Sequence, residues 1–258
     1  MILQTIVDRK KEEVALLRKN GIHLPDPFAG RAVDPPRAFR KALVTYDGVS
    51  IIAEVKKASP SKGVISEHFD PAAIASNYER QGAQAISVLT DVDFFQGSLR
   101  HLMQVRETVS LPVLRKDFIV DELQIEEAAQ CGADAVLLIC AILEVRQIRE
   151  FREYARERGM DSLVEVHNES EVEKAIDAGA DLIGINNRNL NDFSVDINTT
   201  FRLSRIIPKS IPVISESGLS SAGDIEALRA HGICGALIGE SLMRAGSASA
   251  MLGLLRNG

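Results

Sequence analysis

The stretch AAQCGADAVLLI, residues 128–139, shows the plan of the whole chain. A helical pattern stops at Gly132, and a short apolar run, DAVLLI, comes at once after it. Glycine in this place is the left-handed residue that ends a helix, because it has no Cβ to clash there. The run is too short for a buried helix and too continuously apolar for a half-exposed strand. It predicts a parallel strand covered on both faces.

The same punctuation recurs along the chain. Gly82 precedes QAISVL (84–89), Gly159 precedes DSLVEV (161–166), Gly179 precedes DLIGI (181–185) and Gly232 precedes CGALIG (234–239). With IIAEVK (51–56), LPVLRK (111–116) and IPVISE (211–216) there are eight candidate strands. Their starts lie roughly 20 to 33 residues apart, which is room for one strand and one crossover helix. Helix starts stand between them: Asp70 before Pro71, Asp121 before ELQIEEAAQ, and Ser221 with Asp224 as a capping box.

Evenly spaced right-handed crossovers favour closure, so the expected architecture is an α/β fold, a (β/α)8 TIM barrel. An open doubly wound sheet would normally carry Gly-x-Gly-x-x-Gly after an early strand, and this chain has none. The expected organisation is one domain, with an N-terminal helical extension over 1–50 and the barrel over 51–258. In the extension, Ile2, Ile6, Val14 and Leu17 mark one side of a charged helix, and Pro25, Pro27, Pro35 and Pro36 break the segment after it. Two readings stay open for it: a packing cap under the barrel, or a flap across its mouth.

A net charge of −6 argues against a nucleic-acid footprint, which shows as a basic domain. Cys131, Cys140 and Cys234 are scattered without framework spacing, and the five histidines lack ligand spacing, so neither disulfides nor a metal site is expected. The N-terminus lacks the apolar core of a signal peptide, and no stretch approaches a membrane span, which points to the cytoplasm. The expected partner is a phosphorylated small molecule, not nucleic acid or membrane, with the chain a monomer or weak homo-oligomer.

Active sites of such barrels lie at the carboxyl ends of the strands. The first run ends Ile52, Glu54, Lys56, all on one face because side chains alternate. The third ends Arg115-Lys116-Asp117-Phe118, where a lysine near other cations is expected to have a lowered pKa. The fifth ends Leu163, Glu165, with His167 two further on, and the sixth runs into Gly184-Ile185-Asn186-Asn187-Arg188. Glu216-Ser217-Gly218 and Gly239-Glu240-Ser241 come after the last two runs, where this fold usually binds phosphate on backbone N–H groups. Helix starts are expected just behind them, at Ser220 and Glu240. Ser59-Pro60-Ser61-Lys62-Gly63 could close the site from the other side.

These residues describe a phosphate-binding barrel with lysines and carboxylates in its mouth, but no particular reaction. Seven ordered segments go further: IIAEVKKASPSKG, VLTDVDFFQGS, LPVLRKDFIVDELQI, LVEVHNE, GINNRNL, ISESGL and LIGESLMR. In that order they resemble the indole-3-glycerol-phosphate synthases, which also place an extra helix before the first strand. The resemblance implies closure of the pyrrole ring of 1-(2-carboxyphenylamino)-1-deoxyribulose 5-phosphate in tryptophan biosynthesis, with loss of carbon dioxide and water and with no cofactor or metal.

The resemblance also implies roles. Lys116 is the general acid at the substrate ketone, and Lys56 holds the substrate carboxylate and shares proton duty. Glu165 is the acid/base residue of the dehydration, positioned by Glu54 and Asn186, while Arg188 tunes the carboxylates. Ser59, Ser217, Gly218, Gly239 and Glu240 match the phosphate site, and Phe95, Pro60, Phe118, Leu137 and Leu190 form an apolar slot for the aromatic ring. Which lysine donates in which step stays open. The alternatives are a phosphoribosyl isomerase, a Schiff-base aldolase using Lys116 or Lys56 as nucleophile, and a barrel without activity serving as a scaffold.

Overall fold

A computed structural model of the chain describes residues 2–60, 63–65, 68–190 and 193–244. Eight strands form a closed parallel barrel: β1 (Ser50–Val55), β2 (Ala85–Leu89), β3 (Val113–Lys116), β4 (Ala135–Ile139), β5 (Asp161–Val166), β6 (Ile183–Asn186), β7 (Val213–Glu216) and β8 (Gly235–Ile238). Closure is made by β1, which pairs with β2 through Ile52 and Ala85 and with β8 through Ser50 and Gly235. All eight expected strands are present, most of them one or two residues shorter than the apolar runs that signalled them. A two-stranded hairpin, Ala58–Ser59 with Gly63–Val64, stands in the connection after β1 and had no signal in the sequence. Ser61 and Lys62, expected to help close the site, lie outside the described residues.

Helices α1 (Ile2–Asn20) and α2 (Phe39–Val44) precede the barrel. The crossover helices are α3 (Pro71–Arg80), α4 (Leu99–Thr108), α5 (Glu122–Gln130), α6 (Val145–Glu157), α7 (Glu169–Asp177), α8 (Asn198–Leu203) and α9 (Ala222–Ala230), and α10 (Glu240–Arg244) comes after β8. The capping signals act as expected. Asp70 accepts from Ala73 N–H before α3, and Asp121 and Ser221 make capping boxes before α5 and α9. The start expected at Ser220 thus falls one residue later, where Ser221 is the cap. Gly82, Gly132, Gly159, Gly179 and Gly232, the residues that end the helical patterns, all have positive φ.

Side-chain alternation separates two cores. Outward residues such as Ile51, Ile86, Val136 and Val164 pack beneath the helices, while Ile52, Leu114, Leu137, Leu163, Ile214 and Leu237 fill the barrel. The extension serves both ends of the barrel, so cap and mouth-side readings apply to different halves of it. Phe39 and Leu43 of α2 are fully buried and plug the bottom. There the N–H groups of Arg37 and Arg40 donate to Asp134 (2.6 Å) and Asp161 (2.8 Å) at the starts of β4 and β5. Helix α1 lies across the opposite end, where Ile2, Leu3 and Ile6 line the mouth.

Candidate active site

A cavity of about 630 Å³ opens at the carboxyl end of the barrel. Every residue singled out above as catalytic, substrate-binding or phosphate-binding lines it. The reason is the two-residue period: one step along each strand from the inward apolar layer, the next inward side chain reaches the mouth. Ile52 leads to Glu54, Leu114 to Lys116, Leu163 to Glu165 and Ile214 to Glu216.

The centre is Lys116. Its Nζ lies 3.5 Å from Glu165 Oε2 and 3.4 Å from Glu216 Oε2. Burial works against the ammonium, but Glu216 where it is ionised, with Glu165 and Glu54, outweighs it and holds Lys116 well above the ordinary lysine range. This reverses the expectation of a lowered lysine pKa. The supposed neighbouring cation, Arg115, alternates to the outside of the barrel and pairs there with Asp117 (3.1 Å) and Glu127 (2.9 Å). Lys56 Nζ donates to Glu54 Oε1 at 2.5 Å. Burial would push the Glu54 carboxyl up, but Lys56 and Lys116 bring it below its usual value.

Glu165 and Glu216 both face Lys116 and have different fates. Burial would raise Glu165, yet Lys116 and His167 overcome it and keep the carboxylate ionised at about 2. His167 Nε2 stands 3.3 Å from Glu165 and its Nδ1 3.0 Å from Glu171. Burial disfavours its charge, but these two carboxylates raise the imidazole to about 10, so it backs Glu165 as a cation. Burial drives Glu216 the other way. Lys116 opposes the rise and the charge of Glu165 adds to it, leaving the carboxyl at about 8. Neither oxygen of Glu216 has a well-aligned hydrogen-bond partner among the described residues, and the side chain lies against Gly184, where any Cβ would collide with it. The sequence reading leaves Glu216 out of the catalytic group, although the alternation that selects Glu54 and Glu165 selects it equally.

Stability should report that proton. Glu216 is neutral in the folded chain and ionised in the unfolded chain above its ordinary 4.5, so its contribution is present below 4.5 and lost as pH rises through about 8. His167 adds a loss of the same sign between 6.5 and about 10, and comparison with a variant separates the two. In denaturant titrations at about pH 5 and about pH 8.5, the Glu216→Gln protein should lose less stability than the parent. Equal losses would mean that Glu216 is already ionised in the fold.

Toward the last two strands the cavity changes character. Ser217 and Gly218 stand in succession with φ of 68° and 81°, a left-handed pair that turns the chain sharply after β7. Ser217 Oγ and the Arg188 N–H both donate to Asn186 Oδ1, at 2.9 and 3.0 Å. Asn187, buried behind them, donates to the Ser217 carbonyl at 3.0 Å and accepts from the Thr200 hydroxyl at 2.8 Å. Ser241 Oγ donates to the Leu219 carbonyl (2.8 Å), tying the loop after β8 to the loop after β7. Gly239 is required by close approach, since a Cβ there would collide with the Glu54 side chain. Arg188 Nη2 lies 3.6 Å from Glu240 across this end.

The remaining wall is apolar. Phe95 and Phe118 stand with ring centroids 6.0 Å apart, and Pro60, Leu137 and Leu190 also line the cavity. Cys140, just after β4, is fully buried and packs in the core beneath the helices. The site thus joins an ammonium among carboxylates to an aromatic slot on one side and a tight serine–glycine turn on the other. It can protonate an oxygen, move a proton through a carboxylate, and hold an elongated anion with a flat end.

Comparison with known proteins shows what the chain is similar to. The sequence model of the family described as indole-3-glycerol phosphate synthase matches residues 3–254. The indole-3-glycerol phosphate synthase of Desulfotalea psychrophila is 63% identical over 97% of this chain and 96% of that protein. The protein of the same description from Chlorobium chlorochromatii is 49% identical over 93% of this chain and 94% of its own length. Among solved structures, KGPDC from Streptococcus mutans overlays with a TM-score of 0.61 at 11% identity, covering 82% of this chain and 97% of that one. That last likeness concerns the fold alone.

Proposed function

The chain belongs to the indole-3-glycerol phosphate synthase family, and on that premise we propose how its cavity closes an indole ring. The activity is that of a carboxy-lyase of tryptophan biosynthesis, acting on a phosphorylated small molecule. Its substrate, 1-(2-carboxyphenylamino)-1-deoxyribulose 5-phosphate, has a flat aromatic acid at one end, a phosphate at the other and a ketone between them. The observation that carries the assignment of roles is the position of Lys116, a buried ammonium 3.4 to 3.5 Å from two carboxyls of opposite protonation state.

The ring lies between Phe95 and Phe118, with Pro60, Leu137 and Leu190 around it and its carboxylate on Lys56. The phosphate meets Ser59 and the loops carrying Ser217, Gly218, Gly239 and Glu240. Lys116 then reaches the ketone oxygen. Protonation there makes the ketone carbon electrophilic, and the ring carbon bearing the carboxylate attacks it. The new carbon–carbon bond leaves the ring cationic, and loss of carbon dioxide returns the electron pair. Departure of the former ketone oxygen as water needs a second proton donor and a base, and Glu165 fills this acid/base role. Glu54 and Asn186 orient the groups around it, and Arg188 tunes the charge of the cluster.

A Schiff-base aldolase would need a neutral lysine as nucleophile. The carboxylates around Lys116 favour the ammonium instead, which supports an acid and not a nucleophile. The chain has no tryptophan, so indole fluorescence from product appears against almost no background. Incubation with the carboxyphenylamino substrate should produce that emission, and borohydride added during turnover should leave the mass of the protein unchanged. A trapped adduct on Lys116 or Lys56 would favour the aldolase. Among the described residues no helix is long and apolar enough to cross a membrane; together with three free cysteines this supports a cytoplasmic setting.

A further inference from the structure

Lys10 breaks the apolar stripe of α1, yet it is 1% exposed, as deeply buried as any side chain of that helix. Its Nζ sits 2.9 Å from Asp91 Oδ2, 3.0 Å from Asp117 Oδ1 and 2.9 Å from Glu13 Oε2. Asp91 and Asp117 lie just beyond β2 and β3, and both are buried. An ammonium so enclosed is kept only where its partners compensate for lost water, and carboxylates so enclosed need the ammonium equally.

Each aspartate also holds backbone that bears an aromatic wall of the cavity. Asp91 Oδ1 accepts from the N–H groups of Phe94 (2.8 Å) and Phe95 (3.1 Å). Asp117 Oδ1 accepts from the Phe118 N–H (2.8 Å), while its Oδ2 accepts from Thr90 (2.5 Å) and Arg115 (3.1 Å). Asp117 therefore has a second cation, while Lys10 is the cation that Asp91 meets within ion-pair distance among the described residues. One helical turn before Lys10, on the same face, Ile6 lines the cavity, and Ile2 lines it a turn earlier.

We propose that Lys10 is a positioning residue for the aromatic end of the substrate, coupling the seating of α1 over the barrel mouth to the placement of Phe95 and Phe118. The proposal rests on the reading of those two rings as the slot for the carboxyphenyl group. Lys10 touches no reacting atom. Its ammonium draws two strand-end aspartates toward one point, and the aspartates carry the phenylalanine backbone with them. The same contact holds Ile2 and Ile6 down on the open side of the slot.

The test separates the two ends of the substrate. Anthranilate probes the slot, inorganic phosphate probes the far loops, and both are measured as competitive inhibitors. Lys10→Met should raise KM and the anthranilate inhibition constant by at least about tenfold, leave phosphate inhibition within about twofold, and change kcat much less than KM. Hydrogen exchange in α1 should accelerate, and Lys10→Arg should restore most of the affinity. If loss of the cation beside Asp91 prevents folding, a double variant, Lys10→Met with Asp91→Asn, removes the stranded charge. Its new amide oxygen still accepts from Phe94 and Phe95, and the same inhibition pattern is expected. Equal weakening of anthranilate and phosphate, or no change in either, would overturn the role of Lys10. Phe118→Ala is the control: it should weaken anthranilate alone. Were it to change nothing, the slot itself would be misplaced and the proposal would fall with it.

Discussion

Lys116→Met should remove turnover while leaving substrate binding nearly intact. Methionine keeps the length and much of the volume of lysine and removes the proton donor. General acid catalysis at a carbonyl contributes roughly 10² to 10⁴ in rate, and kcat should fall by at least that much. Binding should survive because the residues proposed for the ring and the phosphate are others that line the cavity, Phe95 and Phe118 at one end and the loops after β7 and β8 at the other. The three carboxyls around position 116 remain, and without the ammonium the cluster must take up a proton. The variant should therefore bind the substrate best at lower pH. Titration of the substrate's own anthranilate fluorescence gives affinity, and indole emission gives turnover. Turnover within tenfold of the parent would mean that Lys56 or another group is the acid at the ketone.

Glu165→Gln should stop the reaction at a different place. Glutamine keeps the shape and the hydrogen-bonding capacity of the side chain but can neither hold nor return a proton. If Glu165 serves the dehydration, condensation and decarboxylation can still proceed with Lys116 as acid, and water loss cannot. A single turnover should then release about one equivalent of carbon dioxide per site while indole emission falls by roughly 10² or more. Lys116→Met should release neither product. The pair of measurements orders the two residues along the pathway without trapping an intermediate. Loss of both products in Glu165→Gln would move this carboxylate to the first step, and loss of neither would remove it from the chemistry. His167 sharpens the expectation, because its cation 3.3 Å from the carboxylate holds Glu165 ionised and ready to accept before it donates.

Much of the site is legible in the chain before folding, and the particular residues show why. Glu54, Lys56, Lys116 and Glu165 end apolar runs whose period of two is a local property, so an inward apolar residue predicts an inward polar one two positions later. Gly132 and its counterparts mark helix ends because a left-handed backbone is a local requirement. The resemblance to known synthases adds roles to positions that the pattern already places. Glu216 is readable by the same alternation, but the small residues after it point to the phosphate and hide its likeness to Glu54 and Glu165. Arg115 stands beside Lys116 in sequence and not in space, since alternation sends it outward.

The chain by itself determined the barrel, its eight strands, the end at which the cavity opens and many of the residues that line it. These properties come from periodicity and backbone sterics, which act between near neighbours. Tertiary structure decided the protonation states, because charges interact through space and not along the chain. Lys116 is held charged by Glu54 and Glu165 from two other strands, joined by Glu216 once that carboxyl ionises, and nothing near position 116 in sequence announces them. It decided the extension as well, sending α2 to the bottom of the barrel and α1 across the mouth. There Lys10, polar by every local criterion, is buried because two aspartates from distant strand ends meet it.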